Sequence, residues 1–401
     1  MRSRGRLRAG FAANGASQSR QAAEAQAVRQ LLLNQCVHRI QTFFGGIVIF
    51  MEQLNRIHEQ DKSWVIIVPV SRVILTNAVN HEFRIGQVVF IDRRKLPRVR
   101  RRLSIPRRIS EIRNDYSFTG RIFDSSDTLA VLRHWGKLQE LRNKCIRIVR
   151  DELAILASSQ LGYSKRRSGR HPAIAGERTG GSIDRLFLDA EGSEVALSSH
   201  KRVGTLMPLV LNGVWQSFQK SHFFYRLLRV LDGDIEVSRS WRNDLRRAAI
   251  LVGQSQCSDD VAQGFLWNMI ALELLLTQRD SKCIDALPKQ AEAFLGWVGF
   301  WELSNYEERI REAYRKRCDF VHRGRRDHIT IGDLLFTDDL LFNILTNLLV
   351  HIKRFSSKKE VIQFAKEVEA ERVLGVKPRV RPQSLVFVSR TYTKDDYEGI
   401  L

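Results

Sequence analysis

The chain has 401 residues, 43% of them apolar and 9% aromatic, and its 65 Lys+Arg against 44 Asp+Glu leave a net charge of +21. That length suits two or three domains at roughly 100–200 residues each, and the apolar content supplies folded cores, which excludes a wholly disordered chain. The positive excess favours polyanionic partners, meaning nucleic acid or an anionic membrane surface.

In chain order, residues 1–20 carry five arginines and no acid among Ala, Ser and Gly. Residues 1–25 are therefore expected to form a disordered basic tail, although a transit peptide has the same composition. The apolar run FFGGIVIF at 43–50 is far shorter than the ~20 residues of a membrane helix, so no membrane partner is expected. An α+β region is expected over 26–163. Within it, SWVIIVPVSRVIL (63–75) reads as a β-branched strand whose Pro69 places it at an edge or bulge. FRIGQVVFID (83–92) reads as a second strand. RRKLPRVRRRLSIPRR (93–108) then holds nine basic residues and no acid. In VLRHWGKLQELRNKCIRIV (131–149), Leu138, Leu141, Cys145 and Ile148 fall at the spacing of one helix face.

A flexible basic loop is expected over 164–183, where Gly, Ser, Pro and four basic residues at 165–170 cluster. A hairpin around Gly192, LFLDAEGSEVAL (186–197), opens the segment 184–237, which closes with a connecting helix. From about residue 206 to 373 the apolar period is helical, with a bundle over 238–356 and a C-terminal helix and tail over 357–401. In TDDLLFNILTNLLVHIKRF, Thr337 is the expected N-cap. The fold class expected is α+β, a mixed N-terminal region followed by an all-α C-terminal bundle.

The five cysteines are scattered without a C-x-x-C pair, which argues against a disulfide framework or structural zinc and suits a reducing, cytoplasmic setting. No phosphate-binding loop of the G-x-x-x-x-G-K-[ST] type, no dinucleotide G-x-G-x-x-G after a strand, no H-E-x-x-H and no G-x-S-x-G occurs. Nucleotide hydrolysis and zinc proteolysis are thus unsupported. The three basic runs hold 18 positive charges, more than a set of solvated tails requires. A phosphate-binding surface is expected, with Arg93, Arg94, Lys95, Arg98, Arg100, Arg101 and Arg102 as its nucleic-acid contacts.

Arginine and histidine five apart occur three times, at Arg166/His171, Arg317/His322 and Arg323/His328. The first falls in the expected flexible loop and the last straddles Gly324. Only Arg317/His322 lies in a convincing helix, NYEERIREAYRKRCDFVHRG, with Gly324 as its terminator.

AYRKRCDFVHRG resembles the signature of the HEPN superfamily, an arginine followed after four to six residues by a histidine. It resembles the Apea-like group in particular, through the tyrosine three before the arginine and the Val-His-basic-Gly ending. FLWNMIALELLLT (265–277) is similar to that group's second marker, an amphipathic helix with a glutamate in an A-L-E context, here Glu273. The resemblance spans residues 238–356 and implies a four-helix bundle that dimerises and cleaves RNA without metal or cofactor, in a bacterial antiviral or growth-arrest role. On that resemblance His322 is the acid/base, as befits the side chain titrating nearest neutrality, and Arg317 clamps the scissile phosphate. Glu273 would hold Arg317, Asp319 would orient the histidine or the arginine, and Tyr314 would stack a base or bond a phosphate. Arg323, Arg325 and Arg326 would bind flanking phosphates.

Five residues on an ideal helix turn roughly 500°, so Arg317 and His322 splay by about 140°. Either the helix distorts or ends at His322, or the second subunit of a homodimer completes a composite site. Cys318 and His322 share a helix face at i and i+4, but no third ligand accompanies them, so no metal is expected. The other reading is a non-catalytic nucleic-acid-binding protein that uses its bundle for dimerisation.

Overall fold

The computed structural model describes residues 61–105, 108–111, 126–166, 171–175, 177, 182–188, 195–201, 208–278, 282–295, 305–376 and 379–396 except 383, 386 and 395. The basic N-terminal segment, the apolar run at 43–50, Arg107, Trp297 and Trp301 lie outside these residues. The chain divides into two compact units, residues 1–63 with 135–142, and residues 64–134 with 143–401. In the first, Gly136 at φ +143° ends a strand, and Leu141 of the next helix lies 3.4 Å from where a Cβ would sit.

The architecture is α+β. A five-stranded sheet has the order β3-β4-β5-β1-β6, formed by β1 (Lys62–Ser71), β3 (Glu82–Ile85), β4 (Val88–Asp92), β5 (Thr128–Gly136) and β6 (Ala173–Ile174). The strand expected over 63–75 is two: Arg72 at φ +63° breaks the chain, and β2 (Val73–Leu75) leaves to pair in parallel with β9 (Leu209–Leu211). Pro69 is accommodated because β6 pairs antiparallel with only Val70 and Ser71 of β1. The run 83–92 is likewise two strands, a hairpin in which Ile85 faces Val88 across Gly86 and Gln87. Gly86 at φ +54° supplies the left-handed turn such a two-residue connection needs. Another hairpin joins β7 (Ser182–Leu188) to β8 (Val195–Lys201), in the register Leu188 to Val195.

The basic run 93–105 is folded. A single helical turn, α1 (Leu96–Val99), buries Leu96, and Ile105 follows it into a cluster with Ile91, Leu129 and Val131, flanked by Val65, Ile67, Val99 and Leu103. The helix expected over 131–149 begins later, because residues 131–136 complete β5, and α2 runs from Leu138 to Ser158. Cys145, Val149, Leu153 and Leu156 form its buried stripe. Two short helices follow, α3 (Gly213–Ser221), capped by the Asn212 side chain at the Trp215 amide, and α4 (Phe224–Asp232). Trp215 packs edge-on to Phe83 of the sheet at 5.5 Å and donates Nε1–H to Ser159 Oγ at 3.1 Å.

Among the described residues that follow there are six further helices: α5 (Arg239–Gln256), α6 (Val261–Leu276), α7 (Cys283–Leu295), α8 (Tyr306–Arg323), α9 (Ile331–Val350) and α10 (Lys358–Val373). Asp260 caps α6 through the Ala262 and Gln263 amides, and Ser357 with Glu360 forms a capping box on α10. The start of α9 corrects the expected Thr337 cap. Thr330 and Asp333 form the capping box there, whereas Thr337 is buried about two turns further along and donates to Leu334 O at 2.8 Å. α9 is buried almost throughout its length, the pattern of a central helix. α10 packs on α7 through Phe294, Phe355 and Phe364, with ring centroids 5.0–5.2 Å apart.

α2 and α5 cross so closely that a Cβ on Gly253 would lie 1.7 Å from the carbonyl oxygen of Ala154. Gly253→Ala must force two backbones apart and is expected to cost about 3 kcal/mol. Urea unfolding reads this directly, and an unchanged midpoint would mean the crossing is looser than described.

The segment expected as a flexible loop at 164–183 is held at two of its described residues, Arg166 and His171. Arg166 is buried and forms a two-pronged ion pair with buried Asp338 of α9, Nε–Oδ2 2.6 Å and Nη2–Oδ1 2.8 Å, while also donating to Ser255 O and Oγ. His171 is buried 3.9 Å from Asp259. The physical reason is charge pairing: Asp338 in the core, which also accepts from Asn268 and Gln256, requires a cation, and Arg166 brings one. The C-terminal segment is held similarly, with Arg390 and Tyr392 both donating to Asp339 at 2.7 Å and Val388 exchanging two hydrogen bonds with Asn343.

Candidate active site

α8 carries Tyr314, Arg317, Asp319, His322 and Arg323. Its charges follow the helix dipole, with Glu307 and Glu308 in the first turn and His322 and Arg323 in the last. Gly324, at φ +68°, stops it: the Gly324 amide donates to Phe320 O at 3.0 Å, an αL-type stop, and the Arg325 amide donates to Asp319 O at 3.3 Å.

The best-fixed functional group is Arg317. Its Nη2 donates to Glu273 Oε2 at 3.0 Å, and Nε lies 3.0 Å from Oε1 at ion-pair distance but outside hydrogen-bond alignment. The two side chains are 18% and 17% exposed, so the pair is largely desolvated while Nη1 lies outside it. Burial pushes the Glu273 carboxyl above its ordinary range, and the Arg317 charge opposes that shift. The guanidinium carbon lies 5.9 Å from the centroid of the Tyr314 ring. Burial also pushes the Tyr314 hydroxyl up, helped by Cys283, Cys318 and Glu273 and by a hydrogen bond with Cys283. That phenol stays neutral and acts as a hydrogen-bonding group rather than a base.

The C-terminal end of α6, which carries Glu273, is pinned from several sides. Thr277 returns both its amide and its hydroxyl to Glu273 O at 2.9 Å. Lys358, at the start of α10, donates Nζ to Leu274 O and lies 5.6 Å from the Trp241 ring. Burial drives the Lys358 ammonium down to about 8. Cys283 Sγ reaches Thr277 Oγ1 at 3.7 Å. Cys283 and Lys358 were not legible as site residues, since each is an isolated side chain that the folding of α7 and α10 brings to this point.

His322 stands apart. It is exposed, and among the described residues no hydrogen bond or ion pair holds it. α8 is helical through Arg323, so Arg317 and His322 lie on different faces and do not converge within one chain. Asp319 turns to Arg323 at 3.2 Å rather than to His322 or Arg317, so it orients neither. Arg326 pairs with Asp260 at the α6 cap, and Arg325 is exposed. Lys316, between these groups, is held at 2.9 Å from both oxygens of Asp333 and fastens α8 to the start of α9. Of the other two Arg/His pairs, Arg166 is consumed by Asp338, and His328 lies beyond the helix 3.7 Å from Asp327.

The basic run divides into two sets. Lys95 and Arg102 both pair with Glu82, Arg93 lies 3.8 Å from Asp127, and Arg100 donates to Ile105 O at 3.4 Å. Arg94, Arg98 and Arg101 are exposed, with no acidic partner among the described residues. These three are displayed on a folded element.

Among the described residues no group of three or more His, Cys, Asp or Glu side chains converges as a metal site, and no disulfide joins the four described cysteines. No helix there is long and apolar enough to cross a membrane. The chemistry available is that of a fixed guanidinium, a neutral phenol and an exposed imidazole. Comparison with protein-family models, with curated proteins and with solved structures finds no match.

Proposed function

We propose that the chain is a metal-independent endoribonuclease with a HEPN-type bundle, acting as a homodimer in antiviral defence or growth arrest in the cytoplasm. The observation that carries this reading is the Arg317–Glu273 pair. It fixes one edge of a guanidinium in a largely desolvated place and leaves the other for an anion, the arrangement that favours charge developing on a phosphorane.

The ribose 2′-hydroxyl attacks the adjacent phosphorus, forming the O2′–P bond as the P–O5′ bond breaks. One imidazole takes the 2′ proton and a protonated acid delivers one to the departing O5′. The products are a 2′,3′-cyclic phosphate and a 5′-hydroxyl. His322 serves as the acid/base, and because it diverges from Arg317 on the same helix, the arginine of one copy acts with the histidine of a second. Tyr314 bonds or stacks against the substrate beside Arg317. RNA is the partner and DNA, lacking the 2′-hydroxyl, is inert. The test is incubation in excess EDTA with an RNA and a DNA oligonucleotide of one sequence. Cleavage of the RNA alone is expected; cleavage of both, or EDTA inhibition, would overturn the mechanism.

The divergence of Arg317 and His322 also favours a second reading, a non-catalytic nucleic-acid-binding protein. In either case the folded basic run contributes affinity. Arg98→Glu with Arg101→Glu is expected to weaken RNA binding and reduce its logarithmic salt slope by roughly 1.4, about 0.7 for each single-strand phosphate no longer neutralised. An unchanged slope in a fluorescence titration would remove this run from the interface.

A further inference from the structure

A groove lies between α7 and α10, next to the Arg317 site. The ion pairs Lys289–Glu369 at 2.7 Å and Arg372–Glu292 at 3.0 Å step together along both helices, so α7 and α10 run in the same direction. Their first turns therefore share one end, where Cys283 meets Tyr314 and Lys358 meets Leu274 O. Both helix dipoles present their positive ends there. The groove starts beside this end, because Lys282 adjoins Cys283 and Ile362 is one turn beyond Lys358, and it holds a cavity of about 440 Å³. That volume accommodates one nucleotide.

The lining has the chemistry of a nucleotide subsite. Lys282, Lys289 and Lys366 supply ammonium groups, and Gln278 and Gln290 also line the wall. The two acids, Asp285 and Glu369, leave one positive charge in excess, and Glu369 is already engaged by Lys289. Lys282 and Lys366 are exposed, with no acidic partner among the described residues. They are the cations left to bind an anion.

Building on the ribonuclease reading, we infer that this groove binds a nucleotide flanking the scissile bond of single-stranded RNA. Its phosphate sits between Lys282 and Lys366, and its base lies on the glutamine-lined wall. The groove thus makes the site selective for a continuous strand over a dinucleotide.

The probe is a fluorescein-labelled 2′-O-methyl RNA 12-mer, which cannot be cleaved, titrated against the full-length protein in EDTA. Lys282→Glu with Lys366→Glu is expected to weaken binding about 20-fold at 0.1 M salt and to lower the logarithmic salt slope by roughly 1.4. Lys144→Glu with Lys220→Glu makes the same charge change at exposed positions on α2 and α3 and is expected to weaken binding less than about 3-fold. Equal losses in the two double variants, or no loss in the first, would overturn the subsite. The outcomes separate the two ideas. A wild type that cuts no natural RNA while the groove variant alone loses 12-mer affinity removes the nuclease and keeps the groove. Cleavage of natural RNA with 12-mer affinity unchanged in the groove variant removes the groove alone.

Discussion

His322→Ala is expected to lower RNA cleavage by a factor of about 100 to 10,000, the usual contribution of a positioned acid/base. The same substitution should change stability by less than about 0.5 kcal/mol, because the side chain is exposed and nothing among the described residues holds it. RNA affinity should also survive, since Arg325 and the Arg94, Arg98 and Arg101 group remain. This separation of effects is diagnostic. A binding module would lose nothing, and a structural histidine would lose stability together with activity. Cleavage retained by His322→Ala would transfer the acid/base role elsewhere and dissolve the composite site.

The second large effect concerns Arg317. Its removal leaves the Glu273 carboxylate in a largely desolvated position without its cation, and breaking such a pair costs about 3 kcal/mol. The pH dependence has a definite sign. Glu273 already titrates above its ordinary value of 4.5 because of burial, and losing Arg317 raises it further. A group raised in the folded state favours folding while protonated and loses that contribution as pH rises through the folded value. The deficit of Arg317→Ala is therefore smallest in acid and grows as pH climbs above about 4.5. Adding Glu273→Gln to Arg317→Ala should return most of the stability and none of the cleavage, which urea unfolding and an RNA assay check together. Arg317→Lys keeps the charge but loses the fork, and should hold stability better than activity. If Arg317→Ala were as stable as the wild type at neutral pH, the pair would not be the buried clamp described.

Much of this arrangement could be read from the residues. The terminator Gly324, the helix that carries Arg317 and His322 and the α+β order follow from local pattern, whereas the pairing of Glu273 with Arg317, 44 residues apart, is implied only by the family resemblance. The discrepancies share a cause, in that long-range partners override local composition. Arg166 sits among Gly, Ser and Arg, a loop by composition, yet buried Asp338 on α9 fixes it, and nothing near residue 166 signals that partner. Thr337 precedes two aspartates and resembles a cap, but Asp338 and Asp339 face Arg166 and Arg390 inside the helix rather than its end. The basic run at 93–105 reads as one phosphate surface until Glu82, from another strand, claims Lys95 and Arg102. Cys283 and Lys358 reach the site only through the packing of α7 and α10. Asp319 pairs with Arg323 one turn on, a local partner within the same helix.

The most direct measurement is of the ends of RNA fragments made by the purified protein in excess EDTA, beside His322→Ala. A metal-independent HEPN-type ribonuclease produces 2′,3′-cyclic phosphates and 5′-hydroxyls with the wild type alone. Intact RNA with both proteins, or fragments carrying 5′-phosphates, would contradict the account.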